Sequence, residues 1–257
     1  MDALTALRLQ IEWGVDETLA TEPVDRLRAP VAPAPVGITR ASTEIPARPA
    51  QAAGSAAKKA RSAAAAAASL EELRAVLAGF DVCPLRDTAT SLVFADGTTS
   101  SGLLLIAEPP DEHDDRAGRP LAGPPGAYLD KMLASIGLER ARLLTVPVIP
   151  WRPPGGRPPS QAEIAVCLPF LHRLIALVRP RRAVLLGPTA SRALGVAARR
   201  SRPASWVEAT VADVPAPLPC LPSLAPAHLL RMAAARPAAW ADLRLLRRTL
   251  DADITDK

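Results

Sequence analysis

Short apolar runs punctuate the second half of the chain at regular intervals. The runs 102–108 and 182–187 are almost wholly apolar and end at a polar residue or a glycine, as buried parallel strands do. The run 142–149 predicts a third strand, with Pro147 near its end because proline has no N–H to give a sheet. The pattern therefore predicts at least three buried strands after residue 100.

Amphipathic segments separate these runs and predict helices over 126–138 and 160–178. Ser160 is a predicted N-cap because Glu163 follows three residues later, as in a capping box. Pro226 predicts the start of another helix, since the fixed φ of proline suits the first helical position. Strands that alternate with helices predict a mainly parallel sheet covered by helices on both faces.

Chemistry in such sheets lies outside the carboxyl ends of the strands. The loops that follow Glu108, Ile149 and Gly187 are therefore the predicted functional loops. Gly187 and Thr189 lie at a strand-to-helix turn and are predicted to contact a backbone phosphate of a bound ligand or simply to turn the chain.

The first quarter of the chain lacks these patterns. Residues 1–28 predict a helical extension, and residues 29–69 are rich in proline and alanine, which predicts a linker without a core of its own. Residues 56–80 have high helix propensity and are predicted to become helical before the core begins. The main domain is predicted over 70–251, with a tail at 252–257.

The net charge of +5 permits an acidic partner but does not establish one. One basic cluster, Arg199, Arg200 and Arg202, is a predicted contact for DNA phosphates. Three scattered cysteines form no disulfide framework, and a reducing compartment suits them. With no apolar segment of membrane-spanning length and no signal peptide, the sequence predicts a cytoplasmic protein with no membrane association.

Four segments carry a resemblance to a known family. They are "AEPPDEHDDRAGRPLAGPPGAYLDKMLASIGL", "WRPPGGRPPSQAEIAVCLPFL", "RPRRAVLLGPTASRALG" and "LAPAHLLR". In this order they resemble the uracil-DNA glycosylase superfamily, in particular its iron–sulfur family 4 branch, over roughly residues 80 to 250. The segment "IEWGVDETLATEPVDR" resembles the N-terminal extension of some bacterial members. The resemblance implies a three-layer α/β/α sandwich and an ancestry in removing uracil from DNA.

The resemblance also implies a base-binding pocket, and this chain departs from the family at three of its positions. Leu121 stands where the family has a stacking phenylalanine, Pro147 where an asparagine recognises uracil, and Ala225 where a histidine stabilises the departing base. Glu108 and Pro110 match the family's first loop. Loss of one such hydrogen-bond donor costs about 2.7 to 4 kcal/mol of transition-state stabilisation. We therefore expect weak or absent uracil excision.

Two other residues bear on activity. His228 lies one helical turn beyond Ala225 and is the alternative acid, beside Glu108 as the other candidate catalytic residue. Arg231 follows on the same predicted helix and is a predicted DNA contact.

The resemblance further implies an iron–sulfur cluster with four cysteine ligands. Cys83 and Cys167 match two of the ligand positions, and apolar residues stand at the other two. We therefore expect the 4Fe-4S cluster to be lost, no cofactor to be bound, and the two cysteines to be buried remnants.

Two classes of function remain open from the sequence. One is a DNA glycosylase that hydrolyses the N-glycosidic bond of a deaminated base, with weak activity, altered base specificity or His228 as a relocated acid. The other is a catalytically silent relative that binds DNA weakly and without sequence preference, or a protein partner through the N-terminal extension. The pocket substitutions favour the second class.

Overall fold

The computed structural model describes residues 50–199 and 203–255. The predicted extension at 1–28, the linker up to residue 49, Arg200 and Arg202 lie outside the described residues.

A five-stranded sheet forms the centre of the fold. Its strands are β1 (Leu103–Ala107), β2 (Leu144–Pro147), β3 (Arg182–Leu186), β4 (Val207–Ala209) and β5 (Leu218–Ser223). The order is β2-β1-β3-β5-β4, and β4 alone runs antiparallel to its neighbour. The three predicted strands are confirmed with slightly shorter ends, and the mainly parallel sheet is confirmed.

The strands β4 and β5 were not predicted. Strand β4 has only three residues, and β5 contains two prolines. Pro222 is tolerated because β4 pairs only with the first half of β5, Leu218 to Cys220. Pro222 therefore has a neighbouring strand, β3, on one side only. Proline made β5 look like a loop in the sequence, although the strand lies inside the sheet.

Eight α-helices surround the sheet in the described residues. They are α1 (Ala50–Ala66), α2 (Leu70–Gly79), α3 (Glu112–Ala117), α4 (Pro124–Ala134), α5 (Gln161–Val178), α6 (Pro188–Ala193), α7 (Pro226–Arg231) and α8 (Arg236–Thr255). The predicted capping box of α5 is confirmed. Ser160 Oγ accepts from the Glu163 N–H at 3.2 Å, and Glu163 Oε2 accepts from the Ser160 N–H at 2.7 Å.

The sheet separates two hydrophobic cores. Leu104 and Ile106 belong to the core that contains residues of α1, α2 and α5. Leu103 and Leu105 belong to the core that contains residues of α4 and α8. Because successive side chains of a strand point to opposite faces, the two cores lie on opposite faces of the sheet. The three-layer α/β/α fold is thereby confirmed.

Helix α1 corrects the predicted domain boundary. It occupies residues 50–66 of the predicted linker, and Ala60 and Ala64 are 0% and 2% exposed within the core. Arg173 of α5 donates from Nε to the carbonyl oxygen of Ala67 at 2.8 Å. The linker prediction was wrong for this part of the chain, since small alanine side chains let α1 approach α5 closely and add to the core. At the other end, α8 extends to Thr255, into the predicted tail.

Helix α5 is long and apolar enough to cross a membrane by length and composition alone, contrary to the prediction that no segment reaches that length. Its buried residues include Phe170, Leu171 and Leu174, which belong to the core shared with α1 and α2. This packing is that of a core helix, since its apolar face is covered by the sheet and by two other helices.

Because α1 belongs to the core, Ala60→Leu should lower the free energy of unfolding by about 1 to 3 kcal/mol through overpacking. Ala65→Leu, on the exposed face of the same helix, is the matched control and should change it by less than about 0.5 kcal/mol. Urea denaturation followed by circular dichroism measures both. Equal stability of the two variants would show that α1 is detached from the core.

Candidate functional site

The carboxyl ends of four strands form one straight row. The strand register pairs Ala107 with both Pro147 and Leu186, and Leu186 with Ser223. The loops after β1, β2, β3 and β5 therefore leave the sheet at the same edge, hereafter the carboxyl edge. This places Glu108, Pro147, Gly187 and the start of α7 on one side of the molecule, where ligands of parallel sheets bind.

Glu108 joins two of these loops through its carboxylate. Its Oε1 accepts from the Thr189 N–H at 2.6 Å and from the Ala190 N–H at 3.2 Å, and its Oε2 accepts from the Thr189 hydroxyl at 2.6 Å. The carboxylate therefore caps the first turn of α6, whose unpaired N–H groups favour a negative charge. Glu108 positions the loops, and both of its oxygens are occupied.

Gly187 is required for this contact. Its φ is +131°, which L side chains rarely adopt, and a Cβ there would lie 2.5 Å from Glu108 Oε1. The predicted role of Gly187 and Thr189 as phosphate contacts needs correction, because Glu108 already uses the Thr189 hydroxyl and N–H. Thr189 is also buried. The turn is held by a protein carboxylate at the place where a phosphate would have to bind.

Acidic residues after β1 fix the next loop. Asp111, which follows the buried Pro110, caps α3 by accepting from the N–H groups of His113 and Asp114. Asp114 is buried and accepts from the Ala122 N–H at 2.7 Å, and burial raises the pKa of its carboxyl group. These carboxylates organise backbone, and the described residues contain no group of three or more metal-binding side chains.

Leu121 has a strained backbone at the expected stacking position. Its φ is +54°, which is uncommon for a residue with a side chain, and it is only 8% exposed. Its carbonyl oxygen accepts from Arg140 Nη1 at 2.8 Å and lies so close to Gly126 that a Cβ there would collide with it. Strain of this kind persists only where surrounding contacts fix it, and it clusters at functional sites.

The other two substituted pocket positions are buried and offer no side-chain donor. Pro147 is the last residue of β2. Ala225 is the N-cap of α7 and makes no side-chain cap bond. Helix α7 packs against α4, the helix that begins just after Leu121. At the three positions that the family resemblance singles out, the carboxyl edge therefore carries apolar side chains, two of them without a polar group and one without an aromatic ring.

His228 lies on α7 three residues after Ala225 and is half-buried. Residues three apart share one face of a helix, so His228 lies on the face of α7 that begins with Ala225. In the described part of the chain, no hydrogen bond joins the imidazole to Glu108. The two candidate catalytic residues therefore form no acid–base pair in this structure.

Arg199 does not lie on a basic surface as predicted. Its Nε donates to Asp242 Oδ1 at 2.8 Å, and the two side chains are 7% and 2% exposed. The other carboxylate oxygen, Oδ2, accepts from the Ser223 hydroxyl at 3.0 Å. Arg199 is therefore part of a buried ion pair that ties α8 to the end of β5, and it is not free to contact phosphate.

An exposed apolar pair follows the site and was missed by the sequence analysis. Leu230 and Met232 are 40% and 52% exposed, and they flank the exposed Arg231 at the end of α7. DNA-binding proteins insert apolar side chains of this kind between base steps, with neighbouring cations on the phosphates. The sequence could have indicated this exposure, because the two apolar residues lie at the end of a helix that is too short to bury both.

Two cysteines lie side by side inside the core, and their burial agrees with the prediction for Cys83 and Cys167. Cys83 Sγ and Cys167 Sγ are 3.9 Å apart and both are buried. The ring of Phe80 packs edge-on against Phe170, with the ring centres 5.0 Å apart. The whole sequence contains three cysteines, whereas a 4Fe-4S cluster needs four thiolates. The residues present do not fit such a cluster.

A family model described as the uracil DNA glycosylase superfamily matches residues 94–244, which include every loop of the carboxyl edge. The chain belongs to this superfamily.

The chain is also similar to individual proteins named type-4 uracil-DNA glycosylases. A type-4 uracil-DNA glycosylase of Pyrobaculum aerophilum is 33% identical over 125 residues, covering 49% of this chain and 64% of the relative. That of Sulfurisphaera tokodaii is 34% identical over 119 residues, covering 46% and 54%. That of Thermotoga maritima is 29% identical over 155 residues, covering 58% and 77%. The matches to the first two relatives span less than two thirds of their lengths.

The role assigned to Glu108 can be tested by stability. Glu108→Ala should lower the free energy of unfolding by about 1 to 2 kcal/mol, because it removes the cap of α6 and leaves the Thr189 hydroxyl unpaired. Glu112→Ala removes a carboxylate from an exposed ion pair with Arg116 and should change it by less than about 1 kcal/mol. Urea denaturation measures both, and a loss no larger than that of the control would contradict the capping role.

Proposed function

We propose that this protein is a diverged, DNA-binding member of the uracil DNA glycosylase superfamily with weak or absent uracil excision. The observation that carries the proposal is the state of the carboxyl edge. Leu121, Pro147 and Ala225 supply neither a ring to stack on uracil nor a side-chain donor to its edge or to its departing charge. The role in DNA repair is supported by the superfamily and by the names of the type-4 relatives.

Energetics favour this proposal over ordinary excision. Removing one preorganised donor costs about 2.7 to 4 kcal/mol, a factor of roughly a hundred to a thousand in rate. Two of the family's polar groups are replaced here. Because catalytic groups act together, the effects of the two replacements on the rate are not additive. Glu108 offers no substitute, because both its oxygens already accept hydrogen bonds from the first turn of α6.

DNA binding is supported by the exposed end of α7. Leu230 and Met232 provide apolar surface at the carboxyl edge, and Arg231 adds a positive charge beside them. We propose that binding is weak and independent of sequence, since phosphate contacts carry no base information.

A second candidate is an active glycosylase in which His228 has become the acid, with uracil or another deaminated base as substrate. The position of His228 on the same face of α7 as Ala225 favours it. A third, a non-catalytic scaffold that binds a protein through residues 1–28, depends on a segment outside the described residues.

We also propose that the iron–sulfur cluster of the ancestral family has been lost, with Cys83 and Cys167 kept as a packed pair of thiols. The hydrogen-bonding contact with the Cys83 thiol, together with burial, raises the pKa of the Cys167 thiol above its ordinary value. The three free cysteines support a reducing, cytoplasmic location.

A cleavage assay on single- and double-stranded oligonucleotides containing uracil tests the catalytic proposal. We expect wild-type excision near background, and Ala225→His alone to recover little. The triple variant Ala225→His, Pro147→Asn and Leu121→Phe should restore measurable cleavage, because it returns the ring and both polar groups to the retained backbone. Wild-type turnover comparable to that of a type-4 relative assayed in parallel would contradict the proposal. Loss of that turnover in His228→Ala would then identify His228 as the acid.

The loss of the cluster predicts colourless protein with negligible iron after anaerobic purification. Iron content by elemental analysis and visible absorbance before and after dithionite measure it. A type-4 relative purified in parallel controls for loss of iron during handling. Stoichiometric iron, with absorbance bleached by dithionite, would refute the proposal.

A further inference from the structure

A groove on the α4 and α8 face of the molecule has no role in the site described so far. It is lined by Ser135, Ile136, Gly137, Trp240, Arg244, Arg247 and Arg248 and is called the basic groove below. Residues 135–137 follow the C-terminal end of α4, whose first turn lies beside Leu121. Because α4 has 11 residues, and an α-helix rises about 1.5 Å per residue, this end of the groove is about 16 Å from that turn.

Trp240 is the first unusual feature of the basic groove. Its side chain is 44% exposed, whereas Trp151 is buried and Trp206 donates its indole N–H to Thr249 Oγ1 at 3.0 Å. Among the described tryptophans, Trp240 is thus the one with a substantially exposed ring. An exposed indole ring offers a large flat apolar face on which another planar group can stack.

The positive charges of the groove are regularly spaced. Arg244 and Arg248 follow Trp240 at intervals of four residues, so the three lie on one face of α8 about 6 Å apart along the axis. No carboxylate among the described residues lies within ion-pair distance of Arg244 or Arg248. Arg247 is different, because it pairs with Asp251 and also donates to the carbonyl oxygen of Ile136. The groove therefore has two uncompensated cations in line with a stacking surface.

This combination discriminates between ligands. An acidic peptide would use the cations but would not need a flat ring, and a lipid surface would require more exposed apolar area than one side chain. Single-stranded nucleic acid uses both features, because unpaired bases stack on aromatic rings while the phosphates contact cations along a groove. Paired bases are already stacked and cannot present a face to Trp240.

We propose that the basic groove binds single-stranded nucleic acid, with one base stacked on Trp240 and adjoining phosphates on Arg244 and Arg248. The inference rests on the proposed DNA-binding function and adds to it a second contact, at a distance from the carboxyl edge. A nucleic acid bound at the carboxyl edge would then extend an unpaired segment into the basic groove. The protein should therefore prefer DNA that contains such a single-stranded segment.

The test is the binding of fluorescein-labelled oligothymidine to the full chain, followed by fluorescence anisotropy over a range of salt concentrations. Trp240→Ala should weaken binding at least about fivefold, the lower bound for loss of a stacked base. Arg244→Ala with Arg248→Ala should weaken it as well and reduce the slope of log affinity against log salt by up to about 1.4, or about 0.7 per phosphate contact.

A matched control removes two positive charges from a part of the surface outside the basic groove. Arg61→Ala with Arg74→Ala takes two exposed arginines from α1 and α2, on the opposite layer of the fold, and should leave affinity and salt slope nearly unchanged. Trp240→Phe distinguishes the stacking of an aromatic ring from the fluorescence of the indole. It should keep affinity within a few fold, because phenylalanine still stacks, while the quenching of intrinsic fluorescence by oligothymidine falls.

The outcomes separate this proposal from the function on which it rests. If wild type binds and Arg231→Ala weakens binding, but the groove variants match the control, the groove proposal is overturned while DNA binding stands. If the groove variants bind more tightly, an acidic segment of protein occupies the groove and the proposal is likewise overturned. If wild type binds neither oligothymidine nor duplex DNA, both proposals fail.

Discussion

The carboxylate of Glu108 on the first turn of α6 is the contact on which the carboxyl edge depends. It ties the loop after β1 to the loop after β3, and these are the two central parallel strands of that edge. The contact requires glycine at position 187, since a side chain there would meet the carboxylate. A negative charge placed at unpaired helix N–H groups stabilises both partners, so the loops keep their geometry whether or not chemistry takes place between them.

The backbone of the carboxyl edge is held by contacts that the side chains of Leu121, Pro147 and Ala225 do not make. Leu121 retains a left-handed conformation that only a well-packed surrounding can hold, with its carbonyl oxygen fixed by Arg140 and the close approach of Gly126. Asp114 holds the adjoining N–H of Ala122. These contacts come from residues that do not touch a base, so exchange of a pocket side chain leaves them intact. Hence the shape of the site is not by itself a measure of its activity.

The arginines of this protein have two different roles, one in buried ion pairing and one on the exposed surface. Arg199, Asp242 and Ser223 form a buried network in which each polar group has a partner, and such a network fixes the position of α8 against the sheet. Arg231 on α7 and Arg244 and Arg248 on α8 are exposed. The net charge of +5 could not distinguish these cases, because it counts a buried paired arginine and a solvent-facing one equally.

The sequence by itself determined the three buried strands before β4, the helices between them, the capping box at Ser160 and the family. These follow from local rules, since apolar runs, helical spacing and capping residues act within a few positions of each other. It also predicted that the loops after Glu108, Ile149 and Gly187 lie at one edge, because parallel strands end on the same side. The prolines of β5 made that strand look like a loop, and the alanine-rich composition of α1 made a helix of the core look like part of a linker.

Only the tertiary structure decided what those residues do. Glu108 became a helix cap because α6, 80 residues further along the chain, begins beside it. Arg199 became buried because it pairs with Asp242 of α8, which also accepts a hydrogen bond from Ser223 of β5. Trp240 was left exposed because its side of α8 faces away from the sheet. Each outcome depends on partners distant in sequence, and a partner's position is set by the packing of whole elements on the sheet. Local pattern carries no information about that packing, so the roles of these side chains could be assigned only in the folded molecule.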